Sequence, residues 1–411
     1  MKVKTVTAAV ALALLAGALG SQSAALAAAP SRPFGSHPVP YVAGSVLPST
    51  QAARDAATAA FYDQWKARFI TPGCGPGEFV VNTQGDTSGM VVSEGQGYGM
   101  EIVPLMAGYD PNAQTVFDGL YKYFRAHPSI YSPDLMSWNQ DSRCQNTDVG
   151  DSATDGDISI AYGLLLADRQ WGSAGAINYL AEAKKVIAAI KLHEVEPTTH
   201  LTNLGDWAPG STKYRFGTRP SDWMLDHFRA FQTATGDAFW GDVITATQNL
   251  ITFMRTTYAP TTGLLPDFII NTNTTPAPPK SKYLESANDG NYSWNSCRVP
   301  WHMGTDYLVS GDARSKTEAL KISTWINGAT AGSPAKIVGG YTLDGRKKAN
   351  GYELSYAAPF GVGATVDASQ QAWLNAIWSN IVAVPITADR YYGNSLKMQA
   401  MLVLSNNYWL P

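Results

Sequence analysis

The sequence predicts an all-α fold, a toroid of alternating inner and outer helices with long loops collected at one rim. Three observations lead there. Helical periodicity recurs in pairs, and the first member of each pair is apolar with few charges. The second member is amphipathic, as in Tyr179-Leu180-Ala181-Glu182-Ala183-Lys184-Lys185-Val186. Short turns join the members: Gly108-Tyr109-Asp110, Trp171-Gly172-Ser173, Gly236-Asp237 and Gly311-Asp312. Glycine suits the end of one helix there, and Asp or Ser the N-cap of the next. Roughly a dozen helices, alternately buried and exposed, pack naturally as a closed ring.

Taken in order, residues 1–29 read as a secretory signal peptide, with Lys2 and Lys4, an apolar run over 6–19 and small residues ending at Ala29. The run is too short and too rich in alanine for a membrane span. Residues 30–411 then form a single domain, whose first stretch, 30–48, is rich in Pro and Ser and should lie extended over the surface. Ser49 can cap a helix through Phe61, Trp65 and Phe69, and Gly73, Gly75, Pro76 and Gly77 break it. A short strand is expected over 79–82. Helix pairs follow at 94–107 with 111–125, from 152 with 174–195, and at 222–234 with 239–258. Further pairs are 295–309 with 313–328 and 353–363 with 369–382, and 394–406 closes the chain. The intervening loops 79–93, 128–150, 198–220 and 264–292 are long enough to carry function.

Composition narrows the field. The chain has 411 residues, 30 basic and 33 acidic; loss of the leader would leave 28 basic residues. A mildly acidic protein with no basic cluster argues against nucleic acid and membrane surfaces, so a secreted, extracellular and soluble protein is expected. Three cysteines are too few for a disulfide scaffold. Cys74 and Cys144 are the expected pair because both fall in loops. No Cys or His has ligand spacing, so neither metal nor cofactor is expected, and a monomer is.

Two stretches carry chemistry. Asp151 to Trp171 reads DSATDGDISIAYGLLLADRQW, with Asp151, Asp155 and Asp157 leading into an apolar helix. One acid there could simply complement the helix dipole, but three without a cationic neighbour point to a site. A calcium loop fails, because Ala153 and Tyr162 stand where ligands are needed. The second stretch is Ser93-Glu94-Gly95-Gln96-Gly97-Tyr98-Gly99-Met100. Its glycines would let the backbone pass close to a ligand, although Glu94 after Ser93 also fits a capping acid.

Both stretches resemble glycoside hydrolase family 8, endo-acting polysaccharide hydrolases built as an (α/α)6 barrel. Gly163 departs from the family's Ser or Ala, and Gly95 and Gln96 stand where relatives often have Ala and His. The resemblance implies Glu94 as general acid, Asp155 as the residue that holds and distorts the central sugar, and an inverting mechanism. One branch of the family has its base in a D-x-x-R-x-P motif. Here that segment is Asn295-Ser296-Cys297-Arg298-Val299-Pro300, and Asn295 has no carboxylate. A second branch, with chitosanases and mixed-linkage glucanases, has Asn there and a Glu in an F-L-E-x-x-x-D-G stretch. Tyr283-Leu284-Glu285-Ser286-Ala287-Asn288-Asp289-Gly290 matches it, so Glu285 is the implied base, although a solvated loop Glu is the plain reading of the spacing.

Arg298 would orient the water, and Asn295, Tyr98, Trp138 and Asp222 are candidate substrate contacts. His302, where relatives often have Arg, would change a local charge. Rim aromatics at Tyr131, Trp138, Trp207, Tyr214, Phe216, Phe268, Tyr283 and Tyr292 suit stacking on sugar rings, with about half expected only to pin their loops. The expected substrate is chitosan, cellulose or mixed-linkage β-glucan; Asp134, Asp141, Asp148 and Asp151 hint at a cationic polymer. The alternative is a sugar-binding protein that has lost its base.

Overall fold

The computed structural model describes residues 29–411; the predicted leader, except Ala29, lies outside the described residues. Among the described residues twelve α-helices are arranged as six inner and six outer ones. The inner helices are α2 (Ser93–Leu105), α4 (Thr154–Trp171), α6 (Leu225–Thr235), α8 (Val299–Ser310), α10 (Leu354–Gly363) and α12 (Tyr391–Leu404). Each touches the next, and α12 returns to α2, so the ring closes. The outer helices are α1 (Gln51–Phe69), α3 (Ala113–Ala126), α5 (Tyr179–Ala189), α7 (Phe239–Tyr258), α9 (Ala313–Thr330) and α11 (Gln371–Ala383). Five of them pack on the inner helix before them, and α1 packs on α12. This is the (α/α)6 barrel that the alternation of apolar and amphipathic helices implies.

The inner helices are buried on nearly every face, the pattern of a core helix rather than a surface one. Glycines set the closest contact. A Cβ on Gly97 of α2 would stand 2.6 Å from Ser159 Cβ, and one on Gly163 of α4 2.6 Å from the Met100 carbonyl oxygen. The glycines of the Glu94 stretch therefore admit a neighbouring helix, where the sequence suggested a ligand. Gly163, the departure from the usual Ser or Ala, is what the α2–α4 packing of this chain requires.

Differences from the expected elements are local. Thr50 rather than Ser49 caps α1, its Oγ1 accepting from Ala53 N at 3.3 Å, while Ser49 sits at positive φ. The second helix of the second pair starts late, at Tyr179, and ends in a π turn over Ile190–Glu194. The left-handed glycines Gly236 and Gly311 end α6 and α8, and Asp312 caps α9. Strand β1 (Ile70–Pro72) pairs antiparallel with β2 (Phe79–Val81), and β3 (Val91–Val92) with β4 (Asn139–Gln140). Residues 30–48 cross the end of the barrel where the inner helices finish, bonding Gln170, Ala107, Leu308 and Thr365 backbone oxygens in turn. Cys74 and Cys144 form a disulfide that ties the β1–β2 connection to loop 128–150.

Candidate active site

All six inner helices point their N-termini to the same end of the barrel, and a cleft of about 670 Å³ opens there. It is lined at the starts of α2, α4, α10 and α12 by Glu94, Asp155, Ser355 and Tyr392, and just ahead of α6 and α8 by Arg219 and Arg298. Helix N-termini carry unpaired N–H groups and a positive partial charge, so acidic side chains are favoured at their first turns. Loop 264–292 brings Glu285 to the same cleft, and Trp138 and Trp294 add aromatic faces.

Two arginines organise the acids. Arg298 Nη1 donates to Glu94 Oε2 at 2.7 Å, to Asp155 Oδ2 at 2.9 Å and to Tyr98 Oη at 3.3 Å. Its Nη2 donates to Asn295 Oδ1 at 2.9 Å, and Asn295 Nδ2 donates to Glu285 Oε2 at 2.8 Å. Glu285 is thus joined to Glu94 through an amide and a guanidinium. Arg219 reaches Asp155 Oδ1 and Glu285 Oε1, each at 3.4 Å, and its Nε donates to Asp222 Oδ1 at 3.0 Å. Tyr391 Oη donates to Glu94 Oε1 at 3.1 Å. Beneath this, Asp267 Oδ1 takes the backbone N–H groups of Ser293, Asn295 and Ser296, fixing the turn that carries Asn295 and Arg298.

The environments separate the two carboxyls on the inner helices. Burial pushes the Glu94 carboxyl up, helped by negative Asp155, and against the pull of Arg298 and Tyr391. Burial would raise Asp155 too, but Arg219 and Arg298 outweigh it and hold that carboxyl below its usual range. The Glu94 environment thus shifts it toward the protonated form and that of Asp155 toward the charged one. Glu285 differs from both, with 43% of its side chain exposed.

Of the residues expected from the sequence, Glu94, Asp155, Glu285, Asn295, Arg298 and Trp138 all line the cleft. Asp222 and Tyr98 do not. Both are fully buried, one behind Arg219 and the other behind Arg298, so they hold the arginines and have no surface for a substrate to touch. The acids around Asp155 separate. Asp157 turns into the core, takes Met136 N at 2.8 Å and lies against Glu194, and Asp151 sits beside Asp206. Gln96 binds Val81 N and the carbonyls of Phe79 and Leu120, pinning β2 and α3 away from Glu94. His302 is buried, and that burial lowers it to about 3, so it stays neutral and brings no charge to the site.

Among the rim aromatics, Trp207, Tyr214, Phe268 and Tyr283 pack on one another as a separate cluster that fixes the loops. Sequence reasoning missed Arg219, Trp294, Tyr391 and Tyr392. Arg219 was within reach of it, three residues before Asp222 and next to a proline. Tyr391 gave no signal, because its partner Glu94 lies 297 positions away.

A half-buried carboxyl with a raised pKa and a more exposed one share this open groove, tied through guanidinium groups and flanked by tryptophans, and such a layout belongs to a glycoside hydrolase. The chain belongs to Glycosyl hydrolases family 8, whose sequence profile matches residues 38–406. It is 44% identical to a β-glucanase of Niallia circulans over 93% of this chain and 92% of that one. An endoglucanase of Bacillus sp. (strain KSM-330) is 41% identical over 85% of this chain and 76% of its own. The apo structure of a β-1,3-1,4-glucanase from Paenibacillus sp. X4 superposes with a TM-score of 0.90 at 44% identity, covering 93% of this chain and all (100%) of that one. Among the described residues no helix is long and apolar enough to cross a membrane.

Proposed function

We propose that this protein is an exported, inverting endo-glucanase that cleaves β-1,4 linkages in mixed-linkage β-1,3-1,4-glucan. Glu94 is its general acid and Glu285 its general base. The observation that carries the reading is the hydrogen-bonded path from Glu285 through Asn295 and Arg298 to Glu94. Asn295 cannot take a proton from water at neutral pH. Its amide instead donates to Glu285 and accepts from Arg298, which aims the Glu285 carboxylate at the groove. In the reaction Glu94 gives its proton to the glycosidic oxygen as the bond to the anomeric carbon breaks. Water attacks that carbon from the opposite face and passes its proton to Glu285, the two carboxyls standing roughly 6.5–9.5 Å apart in such enzymes. Asp155, charged between two arginines, binds hydroxyls of the central sugar and favours its distortion. The glucanase relatives support the choice of polymer.

The test is stereochemical and mutational. NMR of early product should show the α-anomer first, and E94Q and E285Q should each lower kcat by orders of magnitude while polymer binding persists. A β-anomer appearing first, or an active E285Q enzyme, would overturn the assignment of the base. A second reading, hydrolysis of cationic chitosan, is favoured by Asp86, Glu353 and Asp389, which line the cleft. Asp134, Asp141, Asp148 and Asp151, the acids suggested by sequence, are not among its lining residues. Comparison of kcat/KM on chitosan, cellulose and β-glucan decides between the polymers. Export rests on the leader-like N-terminus and on the Cys74–Cys144 bridge, which suits an oxidising compartment. Residues 30–411 are proposed to work as one catalytic domain, since the ring of inner helices closes within them, and as a monomer. N-terminal sequencing and light scattering of protein from culture medium test both.

A further inference from the structure

Glu94 has both carboxylate oxygens engaged, and the two partners differ. Arg298 takes Oε2, while Tyr391, the first residue of α12, donates its hydroxyl to Oε1 at 3.1 Å. Tyr391 is almost fully buried, is not among the lining residues of the cleft, and packs edge-on against Phe69 with ring centroids 6.2 Å apart. The approach of its hydroxyl depends on Gly95. A Cβ at that position would stand 2.6 Å from Tyr391 Oη and 3.1 Å from Cζ, too close for the ring to keep its place. Gly95 has no role in φ, since it lies inside the first turn of α2 at an ordinary helical position.

We infer that Tyr391 is a positioning residue for the acid, seated by the missing side chain at Gly95, and that the pair sets the strength of Glu94 as a proton donor. The inference rests on the assignment of Glu94 as general acid. A hydroxyl donated to Oε1 favours the carboxylate that remains after the proton has gone to the leaving oxygen, so it makes Glu94 a stronger acid. The other groups around Glu94 come from five places. Tyr98 lies on its own helix and Asp155 on α4, and Arg219 approaches from the loop before α6. Cys297 and Arg298 lie on the turn before α8, and Tyr392 follows Tyr391 on α12. Asp155 opposes ionisation of Glu94 and the arginines favour it. Tyr391 is the neutral member that touches the carboxylate directly, so its removal changes no net charge.

The experiment compares Y391F, G95A and the double variant by pH profiles of kcat/KM on mixed-linkage β-glucan, with E94Q alongside. Y391F keeps the ring and its packing, and alanine favours the helix more than glycine does, so both should fold. The alkaline limb of kcat/KM reports ionisation of the essential acid in the free enzyme. It should move to higher pH in Y391F and by a similar amount in G95A, and the double variant should move no further than either. The acid limb, set by the base, should stay in place. An unmoved alkaline limb in Y391F, or additive shifts in the double variant, would overturn the proposal while E94Q remained inactive. An active E94Q would instead remove the assignment of the acid, and this proposal with it.

Discussion

Asp222 is fully buried, and its carboxylate anchors Arg219 from behind while the two Nη groups of that guanidinium face Asp155 and Glu285. Burial pushes the Asp222 carboxyl up to about 7 against the attraction of Arg219. Desolvation therefore outweighs the attraction, and the pair contributes direction more than stability. Breaking it is another matter, because the buried guanidinium then keeps only its two longer contacts, to Asp155 and Glu285. Asp222→Ala should cost about 3–5 kcal/mol in urea unfolding and lower kcat by letting Glu285 swing into solvent. A variant with native stability and native kcat would show that Arg219 is held by its other contacts.

Among the elements, the α2–α4 contact decides the distance between Glu94 and Asp155, since each sits in the first turn of one helix. Gly97 and Gly163 allow that approach with no side chain between the backbones. Gly163→Ala places a methyl group 2.6 Å from the Met100 carbonyl oxygen, and backbone cannot swing away as a flexible side chain would. The expected result is a loss of about 1–3 kcal/mol from overpacking, read as a lower urea midpoint. A lower kcat should accompany it as the two carboxyls move apart. Unchanged stability would mean the helices separate freely, and activity should then fall alone.

At the scale of the whole molecule, a buried charged knot joins four of the inner helices, α2, α4, α6 and α12. His227 of α6 lies 3.1 Å from Glu101 of α2 through Nε2 and 3.1 Å from Asp226 through Nδ1. Gln399 of α12 donates to Glu101 at 2.8 Å, Tyr408 donates to Asp226, and Tyr162 of α4 stacks on the imidazole at 3.8 Å. Burial would lower His227, but Asp226 and Glu101 outweigh it and raise the group from 6.5 to about 9. A folded-state value above the unfolded one gives stability that is fully present below about 6.5 and is lost as pH rises through about 9. Thermal unfolding should therefore show a falling Tm across that window. His227→Gln should flatten this dependence and cost about 3 kcal/mol at neutral pH, because two acids would share one site without a cation. A Tm independent of pH in the wild-type protein would mean that His227 is neutral.

The sequence by itself determined the ring and named most of the acids and the arginine that meet in the cleft. Apolar and amphipathic helices alternated at fixed order, and that pattern has few ways to bury its surface other than a closed double layer. Glu94, Asp155 and Arg298 stand in short motifs that resemble the family's, and Asn295 with Glu285 matches one of its branches, so these cleft residues were legible without coordinates. What tertiary structure alone decided were the contacts between distant segments. Nothing local in Tyr391 marks it as a partner of Glu94, and nothing in Asp222 distinguishes a residue that touches sugar from one that holds an arginine. The glycines beside Glu94 were visible, yet their use was not, because a missing side chain admits a ligand or a helix equally well. Which neighbour fills that space depends on how α2, α4 and α12 pack together, and packing is a property of the closed barrel.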